Sequence, residues 1–223
     1  MKKVISFSLW GKDKKYTLGA IENAKLAKEY FPDWVCRYYV GGSVPGEIIT
    51  NLEDMDNTEI ILMGEEGDWT GMFWRFYAAS DPQVGIMTSR DCDSRLGLRE
   101  KAAVDSWLSS DKSFHIMRDH PHHATEILGG MWGCRKPLLS NMTSLISEYK
   151  KMGNFWQVDQ NFLREIIFPI IKSDVIIHDD FFTGHSFPID RHGYEFVGQV
   201  YDENNEIVKE HIDPLKQVLE SRK

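Results

Sequence analysis

Stretches of strand-like composition alternate with helical patterns in the N-terminal half of the chain, and this alternation restricts the fold more than any other sequence feature. Residues 4–9, 34–40 and 59–63 are short apolar runs, each followed by a glycine. Between the first two, residues 16–30 carry apolar side chains at roughly helical spacing and end before Pro32. Strands that alternate with helices predict βαβ units and a largely parallel sheet.

The same patterns continue to the end of the chain. Further strands are predicted at residues 84–89, 114–117, 127–134, 174–178 and 194–201. Further helices are predicted at residues 47–52, 69–80, 96–108, 138–149, from 158 to near Pro169, and from about 205 to 223. No repeat or low-complexity linker interrupts these patterns, so one domain over residues 1–223 is expected.

Composition excludes several classes of protein. The net charge is −8, whereas a nucleic-acid or anionic-membrane binder needs a basic face. The three cysteines are scattered and form no C-x-x-C pair, which favours a reducing, cytoplasmic compartment. No apolar run approaches the ~18 residues of a membrane-spanning helix, so no integral membrane segment is expected.

Two aspartates follow the buried strand 84–89 and are separated by one residue. In extended backbone the side chains of Asp91 and Asp93 leave on the same side, and paired carboxylates suit Mg²⁺ or Mn²⁺. Arg90 and Arg95 lie in the same turn, which suits a diphosphate. Ligands of open α/β sheets bind at the carboxyl ends of parallel strands. The alternative is a polar turn that caps the next helix.

Two groups of polar residues come later in the chain. The histidines His115, His120, His122 and His123 lack the cysteine partners and the helical spacing of a zinc site, which favours ordinary loop histidines. Their loop follows the strand after the aspartate pair, so Asp119 or His120 could contact substrate hydroxyls. Asp159 and Gln160 begin a helix. Asp159 either stabilises the positive end of the helix dipole or acts on the acceptor, as a binding carboxylate or a general base.

A third metal ligand and a sugar platform are also predicted. His178 ends a strand and is the expected third ligand, with His185 in the next loop as the alternative. Most tryptophans are expected in the core. Trp132, which is flanked by glycines, is the one predicted to stack on a sugar.

In order and spacing these features resemble the GT-A superfamily of nucleotide-sugar-dependent glycosyltransferases, and in particular its small, single-domain, soluble members. The matching parts are the first strand, a basic helix with Arg75, the Asp91–Asp93 D-x-D motif, the glycine-bearing strand, the Asp159–Gln160 pair and a late histidine. The resemblance implies a single α/β, GT-A-like (Rossmann-like) domain whose mostly parallel mixed sheet is flanked by helices. It also implies a nucleotide-binding half over about residues 1–64 and a metal, donor-sugar and acceptor half over about 65–200.

The resemblance assigns roles at the donor end. The two aspartates would hold Mn²⁺ or Mg²⁺ on the donor's diphosphate, and a late histidine, His178 or His185, would complete the site. The arginines Arg75, Arg90 and Arg95 would donate hydrogen bonds to the diphosphate. The end of the first strand would bind base and ribose through Ser6, Ser8 and Trp10.

The resemblance also assigns an acceptor end and a reaction. Asp119, His120, Asp159 and Gln160 would line the acceptor side, with Asp159 as the base if the enzyme inverts. The expected reaction moves a hexosyl or deoxyhexosyl group from a nucleoside-diphosphate donor, UDP before GDP, to a hydroxyl of a glycan, glycoprotein or small molecule. Two alternatives stay open: a nucleotidyltransferase, although residues 10–15 contain a single glycine, and a non-catalytic sugar- or nucleotide-binding module.

Overall fold

A seven-stranded sheet forms the centre of the protein in a computed structural model, which describes residues 1–135 and 139–222. The strands are β1 (Lys2–Leu9), β2 (Val35–Val40), β3 (Thr58–Leu62), β4 (Val84–Arg90), β5 (Phe114–Arg118), β6 (Trp132–Arg135) and β7 (Val175–Asp179). Their order is β3-β2-β1-β4-β6-β5-β7. Only β6 runs antiparallel to its two neighbours, and the other described pairs are parallel. The predicted mostly parallel mixed sheet is therefore confirmed.

Helices lie between most of the strands. The α-helices are α1 (Lys14–Tyr30), α2 (Gly46–Glu53), α3 (Leu98–Ser109), α4 (Met142–Tyr149), α5 (Val158–Phe162), α6 (Phe168–Ile171) and α7 (Ile212–Ser221). The 3₁₀ helices are Trp69–Ser80, Lys150–Met152 and Lys209–His211, and a π-helical turn over Leu163–Ile167 joins α5 to α6. This run ends at Ile171, close to Pro169 as predicted, and Pro169 itself lies in the first turn of α6, where its missing N–H costs little. None of the described helices is long and apolar enough to cross a membrane.

Two apolar layers enclose the sheet. One contains side chains of the 3₁₀ helix Trp69–Ser80, α4 and α5, and includes Phe76, Phe162 and Trp132. The other contains side chains of α1, α2 and α3, and includes Ala24 and Trp107. Large rings such as Trp107 and Phe162 are fully buried, so these layers supply most of the apolar burial that stabilises the fold. The carboxyl ends of β1, β4 and β5 are left free to carry a site.

Two predicted strands differ from the structure. The strand predicted at 127–134 begins only at Trp132, because residues 127–131 turn, with Met131 N–H donating to Leu128 O at 3.1 Å. The strand predicted at 194–201 is reduced to isolated pairs, Ser94 with Val200 and Tyr201 with Ile207. The start of the helix predicted at 138 and the end of the one predicted at 223 lie outside the described residues.

Buried histidines line the far side of β5 and β7. His115 Nε2 lies 2.8 Å from His178 Nδ1, and His178 Nε2 lies 3.2 Å from Ser106 Oγ on α3. Burial lowers the pKa of His178 to about 4 and that of His115 well below its ordinary value. Burial likewise lowers the pKa of His120 to about 4 and that of His123 to about 3. All four are therefore neutral in the folded protein near pH 7.

Acidification is expected to destabilise the fold between pH 6.5 and 4. In that interval the unfolded chain binds protons on these histidines and the folded chain does not, so the free energy of unfolding falls as pH falls. The slope is about 1.4 kcal/mol per pH unit for each such histidine. Urea denaturation at pH 7, 5.5 and 4.5 measures it. His178→Gln should reduce the slope, whereas replacing His192, whose side chain is 94% exposed, should not; equal stability at all three pH values contradicts the prediction.

Candidate active site

A cleft of about 260 Å³ opens at the carboxyl end of β4. It is bounded by the 3₁₀ helix Trp69–Ser80, the 127–131 turn and the start of α5. Four residues predicted from the sequence line it together, namely Arg75, Asp91, Asp159 and Gln160. The cleft is also lined by residues that the sequence did not predict as site residues, including Trp69, Met72, His123, Trp156 and Gly198. The structure therefore brings these four residues, Arg75, Asp91, Asp159 and Gln160, which belong to three segments distant in sequence, to one cleft.

Arg75 joins the two carboxylates of the cleft. Its side chain is 3% exposed; one terminal nitrogen pairs with Asp91, and Nη2 donates to Asp159 Oδ2 at 2.8 Å. Burial, and secondarily the charge of Asp91, raise the pKa of Asp159, although Arg75 opposes this. One buried cation thus fixes the spacing of two carboxylates that belong to segments far apart in sequence.

Ser6 and Ser8 position Arg75 from β1. Arg75 N–H donates to Ser8 Oγ at 3.0 Å, and Ser6 Oγ–H donates to Arg75 O at 2.6 Å. Ser6 is fully buried. The hydroxyls predicted to bind base and ribose are therefore used to attach the 3₁₀ helix to the sheet. Trp10, at the end of β1, meets the Trp69 ring edge-on at 6.2 Å.

The D-x-D turn places its two carboxylates side by side. Asp91 is the more open, with a side chain that is 39% exposed, and Asp93 pairs with Lys15 Nζ at 2.9 Å. Burial and the charge of Asp91 raise the pKa of Asp93, so the two carboxylates lie close enough to interact. Cys92 between them is buried, as the alternation along extended backbone predicts.

The glycine turn 127–131 fits closely over Asp91. Gly129 N–H donates to Gln160 Oε1 at 3.0 Å, and Ser89 Oγ–H donates to Gly129 O at 2.7 Å. A Cβ added at Gly130 would overlap the Asp91 carboxylate and lie 3.0 Å from the Asp91 backbone nitrogen. The sequence indicates close approach to these glycines, and the approaching group is the motif's own carboxylate. Gln160 acts here by holding the turn.

Arg90 and Arg95 lie away from the cleft, contrary to expectation. Arg90 is 1% exposed, pairs with buried Glu100 (Nε to Oε1, 3.0 Å) and donates to Gly130 O at 2.6 Å. Arg95 lines a separate cavity of about 600 Å³ and donates to Asn205 Oδ1 at 2.9 Å. Both guanidinium groups are committed to protein acceptors, so they position the turn around the D-x-D motif and are not free to bind diphosphate.

Asp119 and His120 are also committed within the protein. The Asp119 carboxylate has no exposed surface, because it accepts from Arg99 Nε at 2.8 Å and Arg191 Nη2 at 2.5 Å. His120 Nε2 lies 2.7 Å from His211 O. Neither lines the cleft, so the predicted contact with substrate hydroxyls is not available to them. Their neighbour His123 is the histidine of this loop that reaches the cleft.

The predicted sugar platform is in the core. Trp132 has no exposed surface and meets Phe76 edge-on at 5.7 Å, so its ring has no face free for a sugar. The exposed tryptophans at the cleft are Trp69 and Trp156. The signal for Trp156 in the sequence is its position between polar residues of the segment 153–157, three residues before Asp159.

The predicted histidine ligands do not meet the D-x-D pair. His178 is 2% exposed and is held by His115 and Ser106, and the His185 backbone pairs alongside β7. Residues 1–135 and 139–222 contain no group of three His, Cys, Asp or Glu side chains placed to hold a metal. Asp91 and Asp93 alone nevertheless fit Mg²⁺ or Mn²⁺, since such ions bind through one or two carboxylates and take water and phosphate oxygens as further ligands.

The segment 196–205 closes the back of the D-x-D turn. Tyr201 N–H donates to Asp93 O at 2.8 Å, and Asn205 accepts both Nε and Nη2 of Arg95. Val197 N–H donates to Asp119 Oδ2 at 2.9 Å. A late part of the chain therefore fixes the backbone of the motif.

Solved structures resemble the fold at low sequence identity. A glycosyltransferase involved in the glycosylation of the major capsid of PBCV-1 superposes with a TM-score of 0.53 and 17% identity, over 80% of this chain and 82% of that one. A 4-diphosphocytidyl-2C-methyl-D-erythritol synthase from Anaerococcus prevotii gives a TM-score of 0.49 and 12% identity, over 82% and 90% of the two chains. A galactosyltransferase in complex with donor and acceptor sugar analogues gives 0.47 and 13%, over 78% and 72%.

The first of these likenesses confirms a GT-A-like α/β domain. Neither a protein-family model nor a curated protein sequence matches the chain. Identities this low show the fold alone, so the chemistry has to be argued from the cleft.

Proposed function

We propose that this protein is a metal-dependent glycosyltransferase that moves a sugar from a nucleoside diphosphate to an acceptor hydroxyl. The observation that carries the proposal is the Arg75 bridge, which places the D-x-D carboxylate Asp91 and the helix-start carboxylate Asp159 in one cleft of a GT-A-like fold. The pairing supplies a donor end and an acceptor end within reach of each other. UDP is the expected nucleoside diphosphate, because of the resemblance of the motifs, and GDP is the alternative.

At the donor end the chain supplies both ligands and cations. Asp91 and Asp93 would hold Mn²⁺ or Mg²⁺, which neutralises charge on a departing diphosphate. Arg75 and Lys15 are the cations beside these carboxylates, Lys15 Nζ being 2.9 Å from Asp93 Oδ2. Lys15, whose side chain is 27% exposed, can exchange Asp93 for a phosphate oxygen, and such a charge-assisted hydrogen bond strengthens as the leaving group gains charge. Buried Arg75 keeps Asp91 and Asp159 in position.

At the acceptor end Asp159 is the candidate base. Arg75 holds Asp159 Oδ2 at 2.8 Å, which leaves Oδ1 to accept a hydrogen bond from an acceptor hydroxyl. In an inverting reaction the hydroxyl proton passes to this carboxylate as the oxygen attacks the anomeric carbon. In a front-face retaining reaction the leaving diphosphate takes that proton, and Asp159 orients the acceptor.

A nucleotidyltransferase is the second candidate, and one contact favours it. Lys15 belongs to the basic stretch 12–15 after β1, and its pairing with Asp93 brings that stretch to the D-x-D motif. A basic loop beside metal-binding carboxylates would suit a nucleoside triphosphate as well. The products separate the two reactions, since a glycosyltransferase releases a nucleoside diphosphate and a nucleotidyltransferase releases pyrophosphate.

Nucleoside diphosphates are expected to stabilise the protein against thermal unfolding, and more strongly when the metal ion is present. A ligand at a hundred times its Kd adds about 2.7 kcal/mol to the free energy of unfolding, which raises Tm by several degrees. Thermal denaturation with UDP, GDP, CDP and their sugars, each with and without Mn²⁺, measures this. Mn²⁺ alone and UMP with Mn²⁺ are the controls. A Tm that no nucleotide raises under either condition contradicts the proposal, and binding without turnover of any donor points to a binding module.

A further inference from the structure

Trp156 is an exposed aromatic side chain at the mouth of the cleft. Its surface is 66% exposed, the largest value among the seven tryptophans of the chain, all of which lie in the described residues. Tryptophan is highly buried on average, because its large ring gains most from leaving water. A ring of this size, left open beside the polar groups of the cleft, offers an apolar contact to a molecule that binds there. Trp156 lines the same cleft as Asp159 and Gln160.

The segment that carries Trp156 is fixed although the ring is not buried. Asn154 Nδ2 donates to Asp68 Oδ2 at 2.7 Å, and Asp68 Oδ1 accepts from Thr70 N–H at the start of the 3₁₀ helix. Gln157 adopts a left-handed backbone, with φ of 66°, and its carbonyl accepts from Asn161 N–H at 2.9 Å. The ring is thereby presented at a set position without the apolar packing that normally holds a tryptophan.

The two exposed tryptophans of the cleft belong to different ends of it. Trp69 is 45% exposed and touches Trp10 at the end of β1, the side assigned to the nucleotide. Trp156 precedes α5 and stands three residues before Asp159, the carboxylate assigned to the acceptor. The position of Trp156 therefore associates it with the acceptor.

The surroundings of Trp156 match a neutral sugar ring. A pyranose has an apolar C–H face, which suits an indole, and a rim of hydroxyls, which suits the carboxylate of Asp159. Asp91 and Asp159 share the single cation Arg75, so the acceptor end disfavours an anionic partner. We propose that Trp156 is the platform on which the acceptor's sugar ring stacks, and that the acceptor is a neutral glycan. This inference rests on the proposed glycosyl transfer.

Fluorine NMR of protein labelled with 5-fluorotryptophan tests the platform without requiring turnover. The seven tryptophans give separate resonances, and Trp156→Phe assigns one of them. The probes are methyl α- and β-glucopyranoside, methyl galactopyranoside, methyl mannopyranoside, maltose, cellobiose and lactose, each added to protein with UDP and Mg²⁺, which unlike Mn²⁺ is diamagnetic and does not broaden the resonances. We expect at least one of these neutral sugars to shift the Trp156 resonance in a saturable way. Absence of such a shift with every sugar overturns the inference.

Matched substitutions then measure what the ring contributes. Trp156→Ala is expected to weaken binding of that sugar, and to raise its KM as acceptor, by about tenfold or more, the loss of one aromatic contact. Phe155→Ala is the control, since Phe155 is in the same segment, 38% exposed and outside the described lining of the cleft. Equal sugar affinity in the Trp156→Ala and Phe155→Ala variants overturns the platform.

Failure of this inference is distinguishable from failure of the proposed function. If UDP and Mg²⁺ perturb the Trp69 resonance while no sugar affects Trp156, the donor site stands and the platform is wrong. If a sugar binds at Trp156 but no nucleotide perturbs any resonance or raises Tm, the platform stands as a sugar-binding site and glycosyl transfer is wrong.

Discussion

Asp93→Asn is expected to lower turnover of the sugar nucleotide by at least two orders of magnitude while changing Tm by less than about 2 °C. The substitution keeps the shape of the side chain and removes one of the two charges that would hold the metal. The fold should tolerate it, because the lost pair with Lys15 is partly exposed, and burial and then the charge of Asp91 already raise the pKa of Asp93. Initial rates of donor consumption and a thermal melt, run on the same preparation, measure both effects.

The control for this variant is Asp56→Asn. Asp56 pairs with Lys28 at 2.6 Å, its side chain is 86% exposed, and it is remote from the cleft, so the same chemical change should leave turnover unaltered. An Asp93→Asn protein as active as the unaltered one would show that the motif does not act through its charge. Full activity of the unaltered protein in excess EDTA would remove the metal from the mechanism.

Gly130→Ala is expected to abolish most activity, again by about two orders of magnitude, with a smaller effect on folding. The added methyl group would overlap the Asp91 carboxylate, which would have to rotate away from its ion pair with buried Arg75, so part of the effect falls on stability. Once displaced, Asp91 no longer meets Arg75 or a diphosphate in the right place, and displacements of about 1 Å cost rate steeply. Steady-state kinetics and urea denaturation separate the two effects.

Gly46→Ala provides the comparison, because a Cβ at Gly46, in the first turn of α2, would meet nothing within 4 Å. It should keep full activity and equal or slightly higher stability. If Gly130→Ala retains normal kcat/KM, Asp91 does not need its present position, and the assignment of the cleft loses its basis.

The sequence predicts features whose cause is local. Strand period, glycine after strands and two aspartates at a strand end each depend on a few adjacent residues, and the sheet, the D-x-D turn and the Asp159 helix start follow from them. The length of the antiparallel strand β6, in contrast, depends on contacts between residues distant in sequence. Its short length reflects the carbonyls of Gly129 and Gly130 being used by Ser89 and Arg90 rather than by a neighbouring strand.

The roles of charged residues follow least from the sequence, because their ion-pair partners lie in other segments of the chain. Arg90 pairs with Glu100, and Asp119 is held by Arg99 and Arg191. A charged side chain near a site can bind substrate or can be neutralised by another segment, and composition does not distinguish the two. The same limit applies to Trp132 and Trp156, since only packing decides which ring is buried.

The closure of the D-x-D turn by segment 196–205 has a consequence for the order of events during synthesis. The strand that leads into Asp91 and Asp93 is made more than a hundred residues before the groups that fix the turn, namely the Tyr201 backbone N–H on Asp93 O and the Asn205 side chain on Arg95. Chains acquire structure from the N-terminus as they are translated. In a nascent chain of this protein the strands of the sheet are therefore made before the contacts that hold the motif, and the motif is fixed only after residues 201–205 have been translated.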